Sequence, residues 1–417
     1  MSDAPVLVAP PARLDVRKIR AEFPIFATRA RGKRLVYLDS ANTSQKPALV
    51  IEATRRFYAE ENANIHRATY ALSENATAVY EGAREAVRRF VGAAETKEIV
   101  FVRGTTEAIN LVAASFGQAF VRAGDEILLT GLEHHSNIVP WQLLCERSGA
   151  VLRVLPITDS GELQLDELPR LLTDRTKLLA VSHVSNALGT INPVKEIVGA
   201  AHARGVPVLV DGAQAAPHLA LDVRDLDCDF YAFSSHKMYG PTGIGVLYGK
   251  RSWLEKMPPY QGGGDMISSV TFEKTTYNAL PWKFEAGTSN LAGAAGLSAA
   301  VAWLSGVGLP SAAAHEHDLL VYATGRLREI PGLTIFGTAP KKAAVISFLL
   351  DEVHPHDIGA VLDQEGICIR TGQHCAQPVM DRFGIAATAR ASFGVYNTRE
   401  DIDALAEGLR KVREVFG

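Results

Sequence analysis

The 417-residue chain holds only four cysteines, Cys145, Cys228, Cys368 and Cys375, and no two of them form a C-x-x-C pair. That is too few for a disulfide framework, so any special cysteine acts as a lone thiol. Neither sign of charge is in excess: 43 Lys and Arg against 46 Asp and Glu leave a net charge of −3. No large electrostatic term draws such a chain to nucleic acid or to an anionic membrane. Uncharged apolar runs fall short of the roughly 20 residues that span a bilayer. The start MSDAPVLVAPPARLD lacks a basic stretch followed by an apolar one, so no secretory signal is read and a cytoplasmic location is expected. Both nucleotide fingerprints are missing: Gly243-Ile244-Gly245 lacks the third glycine of G-x-G-x-x-G, and Gly249-Lys250 is followed by Arg251 instead of Ser or Thr. Small molecules or proteins remain as partners. With 47% hydrophobic and 21% charged residues the chain is not globally disordered. At roughly 150 residues per domain its length corresponds to two or three domains.

Between about residues 98 and 250, seven short apolar runs, EIVFV, EILLT, VLRVLP, KLLAVSH, PVLVD, DFYAF and IGVLYG, alternate with helical stretches. This alternation predicts βα units and a mainly parallel sheet with helices on its faces. PPYQGGG (258–264) breaks the pattern, Ser269 to Phe284 reads as hairpin-like, and a small-residue helix is expected at about 291–306. The last segment opens with Thr398 and Asp401 in capping-box spacing. Ile402, Leu405, Leu409, Val412 and Val415 then recur as one face of a closing helix.

Chemistry-bearing residues gather where predicted strands end. Gly104-Thr105-Thr106 follows EIVFV and leads into a helix expected from Ala108 to Phe120. Hydroxyls and free N–H groups at a helix start suit a phosphate, although Ser or Thr there is more often only a cap. Without a nucleotide motif, such a site suggests a smaller phosphorylated cofactor. Asp211 closes the run Val208-Leu209-Val210, and Lys237 lies just beyond Phe230 to Phe233. Pyridoxal phosphate needs both a lysine amine for its aldehyde and an acidic partner for its ring nitrogen. Either residue alone is usually a helix cap or a surface lysine. Gln214, Ser234, His236 and His134 in the neighbouring motifs shift the balance towards a cofactor site, since ligands in open α/β sheets bind outside the carboxyl ends of strands.

The strings DGAQ (211–214), SSHKMYGPTGIG (234–245), RGTTEAINLVA (103–113), EHHSNIVPW (133–141), HVSNALGTINP (183–193), FEAGTSN (284–290), RTGQHCAQP (370–378) and RASF (390–393) together resemble the group II, SUF-type cysteine desulfurases, relatives of the class V aminotransferases. The resemblance implies an α/β protein of PLP fold-type I. A large domain with a mainly parallel central sheet spans 36–305, a smaller α+β C-terminal domain spans 306–417, and an arm at 1–35 joins the smaller domain. It implies that Lys237 bonds the cofactor aldehyde, Asp211 faces the pyridine nitrogen, Gln214 the ring hydroxyl, and His134 stacks on the ring. Thr106, Ser234 and His236, with Thr105 beside them, correspond to phosphate ligands, and Thr288 to one supplied by the other subunit of a homodimer. Asn186 and Arg390 correspond to positions that hold the substrate carboxylate, with Arg370 nearby, and Cys375 to the nucleophile. RATYALSENAT (67–77) and DSANTSQKP (39–47) are less close to the family forms, so no role is carried over to His66 or Arg67.

The implied reaction takes L-cysteine to L-alanine and leaves a persulfide that supplies sulfur for iron–sulfur cluster assembly through an acceptor protein of the SUF pathway. It needs a reachable thiolate. Cys375 alone lies in a glycine-containing polar loop, with Arg370 and His374 near enough in sequence to support its charge. Cys145, Cys228 and Cys368 sit in helix- and strand-like surroundings where a cysteine is usually a small buried hydrophobe. A zinc site would need further ligands beyond the Cys/His pair, so no metal is expected. L-Selenocysteine could be cleaved by the same residues. The rivals are an aminotransferase, which needs Lys237 and Asp211 but no thiol, and a non-catalytic sulfur relay, which needs Cys375 but no cofactor.

Overall fold

The computed structural model describes residues 14–66 and 68–416, so Arg67 lies outside the described residues. All seven apolar runs become strands of one sheet. Their order across it is Ile99–Val102, Gly245–Gly249, Phe230–Ser234, Val208–Asp211, Thr176–Ser182, Glu126–Thr130 and Val151–Leu155. The last five named are parallel to one another, and Gly245–Gly249 runs antiparallel to both of its neighbours. The inner runs are continuous because the sheet is covered there on both faces, whereas the edge strand Val151–Leu155 leaves Val151, Arg153 and Val154 exposed. Successive residues feed alternate cores: Ile99 and Phe101, Leu128, Leu179 and Val181, Val208 and Val210, Tyr231 and Phe233 enter one. Val100 and Val102, Ile127 and Leu129, Leu178 and Ala180, Leu209, Phe230 and Ala232 enter the other. This is the two-residue period of a strand applied to two apolar layers.

A second sheet has the order Leu333–Phe336, Val345–Leu350, Thr388–Ser392, Arg370–Gly372 and is antiparallel throughout. Residues from helices Leu309–Arg328, Pro355–Gln364 and Arg399–Phe416 share a separate core with it. The early chain is tied to this unit. Val36–Tyr37 pairs in parallel with Ile367–Cys368, and Arg20 and Arg34 both hold Asp401, at 3.0 and 2.6 Å. The arrangement is that of a mixed α/β fold-type I protein.

Local expectations hold with adjustments. The small-residue helix spans Leu291–Val307, while the hairpin is confined to Ile267–Val270 and Thr275–Tyr277, with Trp282–Phe284 forming a separate 3₁₀ turn. The closing helix buries Ile402, Leu405, Leu409 and Val412 completely, but Val415 is 65% exposed because the helix runs past its supporting core. Asp401 accepts from the Thr398 N–H at 3.2 Å, the expected start of that helix. One buried ion pair anchors the first strand to the loop after the hairpin. Arg84 grips Glu285 with two bonds of 2.7 and 2.9 Å, and Glu285 also accepts from Phe101 N–H and the Tyr80 hydroxyl. Among the described residues, no single helix is long and apolar enough to cross a membrane.

Candidate active site

Five strands deliver their carboxyl ends to the same edge of the large sheet, and each is followed by residues singled out in the sequence. Thr105 and Thr106 follow Ile99–Val102, His134 follows Glu126–Thr130, and Asn186 follows Thr176–Ser182. Gln214 follows Val208–Asp211, and His236 and Lys237 follow Phe230–Ser234. The helix expected from Ala108 starts three residues earlier, at Thr105, so both threonines lie in its first turn. The Thr105 N–H donates to Ser234 Oγ at 2.8 Å and the two hydroxyls pair at 2.8 Å, joining the helix start to the end of the neighbouring strand. Gly104, Thr105, Thr106, Ser234, His236 and Thr242 line an open recess above them. Close approach makes this possible: a Cβ on Gly245 would stand 2.5 Å from Gly104 Cα and 2.7 Å from the Phe233 carbonyl oxygen. Free N–H groups at the start of a sixteen-residue helix, with hydroxyls around them, form an anion cradle.

Beside this recess, Asp211 is buried and its Oδ1 accepts from the Ala213 N–H at 2.9 Å. Burial raises its pKa, while Lys237 pulls in the opposite direction. Lys237 lies in the turn Ser235–Lys237 and is partly open. Burial lowers its pKa, as does Arg390, against the favourable charges of Asp211 and Cys375. The His134 ring is held by Ser136, whose N–H donates to Nδ1 at 3.0 Å. Burial, with Lys237 next, pushes its pKa down to about 3, so the ring is uncharged at neutral pH. Gln214 donates from Nε2 to the Ala41 carbonyl at 2.5 Å.

Cys375 arrives from the other sheet. Of the four cysteines it is the exposed one, Cys228 is buried, and Cys145 and Cys368 are intermediate. Burial raises the thiol pKa of all three others. His374 and Cys375 have φ of +55° and +54°, two consecutive non-glycine residues in the left-handed region. Such backbone persists only where its surroundings over-determine it. Here the Cys375 carbonyl accepts from the His135 N–H at 2.7 Å, and the His374 carbonyl from Asn186 Nδ2 at 2.6 Å. Asn186 is thus placed on the cysteine loop as well as on Arg390, whose Nη1 donates to its carbonyl at 2.9 Å. The expected support of the thiolate by His374 is not found. This side chain is buried against Thr388, and burial, then Arg390 and Arg370, lowers its pKa to about 3, leaving it neutral.

Arg370 and Arg390 face each other across adjacent antiparallel strands. Like charges so placed repel, and Asp39 bridges them, at 2.7 Å to Arg370 and 3.3 Å to Arg390. Nε of both arginines is buried without a hydrogen-bond partner. Two unspent donors on paired cations are suited to a small carboxylate. Thr288 does not join this group within one chain: it is exposed on the loop before Leu291–Val307 and is absent from the recess lining. His66 packs against Trp282 and lies 3.1 Å from Glu81. Sequence reasoning missed Asp39 and Glu133. Buried Glu133 accepts from Thr130, Asn137 and the Ser182 N–H, and fixes the base of the His134 loop; burial raises its pKa to about 8.

The donor set fits pyridoxal phosphate: an anion cradle, a carboxylate at a strand end, an uncharged imidazole and a partly open lysine lie on one edge of the sheet. Comparison with known proteins agrees with the geometry. The chain is 53% identical over 404 residues to a probable cysteine desulfurase of Halalkalibacterium halodurans, covering 97% of this chain and 99% of that one. The S-sulfonic acid form of the cysteine desulfurase CsdA from Escherichia coli superposes with a TM-score of 0.90 at 41% identity, covering 97% of this chain and all of that one. A C-DES structure with glycine covalently linked to its PLP cofactor has a TM-score of 0.81 at 25% identity, over 94% of this chain and 98% of that one. Residues 36–405 match the Aminotransferase class-V pattern, and the chain belongs to that family.

Proposed function

We propose that the protein is a PLP-dependent cysteine desulfurase that converts L-cysteine to L-alanine and carries the sulfur as a persulfide on Cys375. The observation that carries this reading is that the loop of the exposed Cys375 is pinned, through the His135 N–H and Asn186, to the same sheet edge that carries Lys237 and Asp211. An aminotransferase needs the first two residues but has no use for the third.

Bound pyridoxal phosphate supplies an electron sink that acidifies the α-hydrogen of an amino acid held on it. Thr105, Thr106, Ser234 and His236 bind its phosphate, and Asp211 holds a proton on the ring nitrogen, whose positive charge in turn keeps the carboxylate ionised. Gln214 serves the ring hydroxyl. The uncharged His134 ring gives a flat face for stacking. Lys237 would hold the aldehyde and, with its pKa lowered by burial, would accept and return a proton at Nζ. Arg390, with Asn186 and Arg370, orients the substrate carboxylate so that the substrate sulfur is presented to Cys375. Attack by the Cys375 thiolate forms a sulfur–sulfur bond as the carbon–sulfur bond breaks, and that bond's electron pair remains with carbon.

The reading extends to a homodimer in which Thr288 of each subunit completes the other's phosphate cradle. It also extends to a cytoplasmic SUF role in which an acceptor protein collects the sulfur for cluster assembly. The division into an arm at 1–35, a large domain at 36–305 and a small domain at 306–417 belongs to the same proposal, supported by the two sheets with separate cores. Cys375 lies five residues after Arg370 and three before Pro378, a short tether that keeps a persulfide near the cofactor and favours a dedicated acceptor. The test is incubation of the purified protein with L-cysteine, with and without reductant. One alanine per site without reductant, repeated turnover with it, and neither for Cys375→Ala are expected. A swapped amino acid in place of alanine would establish the aminotransferase instead.

A further inference from the structure

The carbonyl oxygen of His236, the residue before Lys237, receives an unusual number of donors. Thr43 Oγ1 lies at 3.0 Å, the Ser44 N–H at 3.0 Å, Ser44 Oγ at 3.1 Å and Lys46 Nζ at 2.8 Å. A carbonyl oxygen has two lone pairs, so four donors on one atom mark a point where several groups compete to fix the backbone. All four come from a single stretch, 43–46, within one of the two motifs that are less close to the family forms. Ser44 Oγ also accepts from the Tyr239 N–H at 2.7 Å, so the stretch holds the lysine turn from both sides. Lys46 is largely withdrawn from solvent, and its ammonium is further tied to the Ser44 carbonyl at 2.5 Å. It makes no ion pair that would explain its burial among the described residues. The same segment reaches the site twice more, through Asp39 on the paired arginines and through the Ala41 carbonyl on Gln214.

We propose that Lys46 is a positioning residue for Lys237, acting through the His236 carbonyl, and that the segment from Asp39 to Lys46 holds the amine, the ring-hydroxyl partner and the carboxylate-binding arginines in one frame. The proposal rests on the assignment of Lys237 to the cofactor. A half-buried N–H donor fixed on that carbonyl restrains the peptide between His236 and Lys237 from turning, and so sets the direction in which the lysine side chain leaves the backbone. Burial draws the pKa of Lys46 down to about 7, so ammonium and amine are both populated near neutral pH, and either form donates an N–H to the carbonyls it serves. Small displacements of a reacting group far exceed their structural size in effect.

The experiment compares wild type, Lys46→Met and Lys46→Arg as holoenzymes. The pH midpoint of the bound cofactor's visible absorbance is read without substrate, together with kcat and KM for L-cysteine. Lys46→Met is expected to move the midpoint and to lower kcat about tenfold with KM within about twofold. Lys46→Arg, which keeps a cation on the carbonyl, should recover most of both. An unmoved midpoint and kcat in a folded Lys46→Met protein overturns the proposal, as does a loss of thermal stability alone. Should Lys46→Met fail to fold, Thr43→Val removes a neutral donor from the same oxygen and must move the midpoint in the same way; an unmoved midpoint there overturns it equally. A wild type that shows no visible band, or makes no alanine, would instead refute the cofactor or desulfurase reading.

Discussion

Removing the Glu285 carboxylate tests how the first strand is held against the rest of the large sheet. Arg84 and Glu285 side chains are 1% and 4% exposed, so Glu285→Ala leaves a buried guanidinium without its bidentate partner. Breaking a buried pair from one side costs about 3–5 kcal/mol. Two features set the figure within that range. Arg84 retains Glu81 at 2.9 Å and the Ile99 carbonyl at 2.8 Å, which favours the lower end. The Phe101 N–H and Tyr80 hydroxyl lose their acceptor as well, which adds about 1–3 kcal/mol for each group that water cannot reach. A total of about 5 kcal/mol or more is expected on these grounds. Urea unfolding followed by tryptophan fluorescence and far-ultraviolet circular dichroism measures it, coincidence of the two curves justifying a single transition. Because Ile99–Val102 leads directly to Gly104 and Thr105, the variant should also release bound cofactor faster on dialysis. The double variant Arg84→Met/Glu285→Leu, which removes both charges, should recover much of the loss. A loss below about 1 kcal/mol for Glu285→Ala would refute the view that this pair is an uncompensated charge in waiting.

Three further outcomes follow from the geometry. His374 has a folded pKa of about 3 against 6.5 for an ordinary histidine. The unfolded chain therefore takes up its proton first as pH falls, and stability is full above about 6.5 and declines towards 3, by up to about 1.4 kcal/mol per pH unit. His374→Asn, which tolerates positive φ, should flatten unfolding free energy against pH by one proton over that window; an unchanged slope contradicts the assignment. Cys375→Gly should be about 1 kcal/mol more stable than Cys375→Ala in the same urea assay, because only glycine occupies φ +54° without strain. Equal stabilities would show that the loop relaxes. Gly245→Ala brings a methyl against backbone atoms of Gly104 and Phe233, with a loss of about 1–3 kcal/mol and weaker cofactor retention measured by absorbance after dialysis. A variant that retains cofactor like wild type would mean the helix start can move.

The large sheet was legible because its inner strands are apolar runs between turn residues, and burial on both faces leaves little room for a different reading; only the edge strand Val151–Leu155 carries an arginine and faces solvent. Lys237 and Asp211 were legible for a related reason: charges directly after such runs stand out. The helix start was misplaced by three residues because threonine is equally at home before a helix and in its first turn. Asp39 was not legible. A single aspartate after a short apolar stretch carries no local mark, and its role comes from two arginines 331 and 351 residues away that happen to face each other. Glu133 is similar, since its partners are brought together by strand neighbours instead of by spacing along the chain. His374 misled because sequence proximity to Cys375 says nothing about where the ring points.

Ser234 and Gly245 are cross-strand partners, so the Lys237 turn lies in a loop whose two ends meet after about ten residues. The cysteine loop instead reaches its anchor, His135, across a separation of 242 residues at Gln377. Closing a short loop forfeits far less chain entropy than closing a long one. During synthesis and refolding, the loop that carries the amine can therefore close while the thiol is still on an unformed part of the chain. The thiol's placement thus rests on a long-range contact, and Cys375 meets Lys237 only when the C-terminal third has docked.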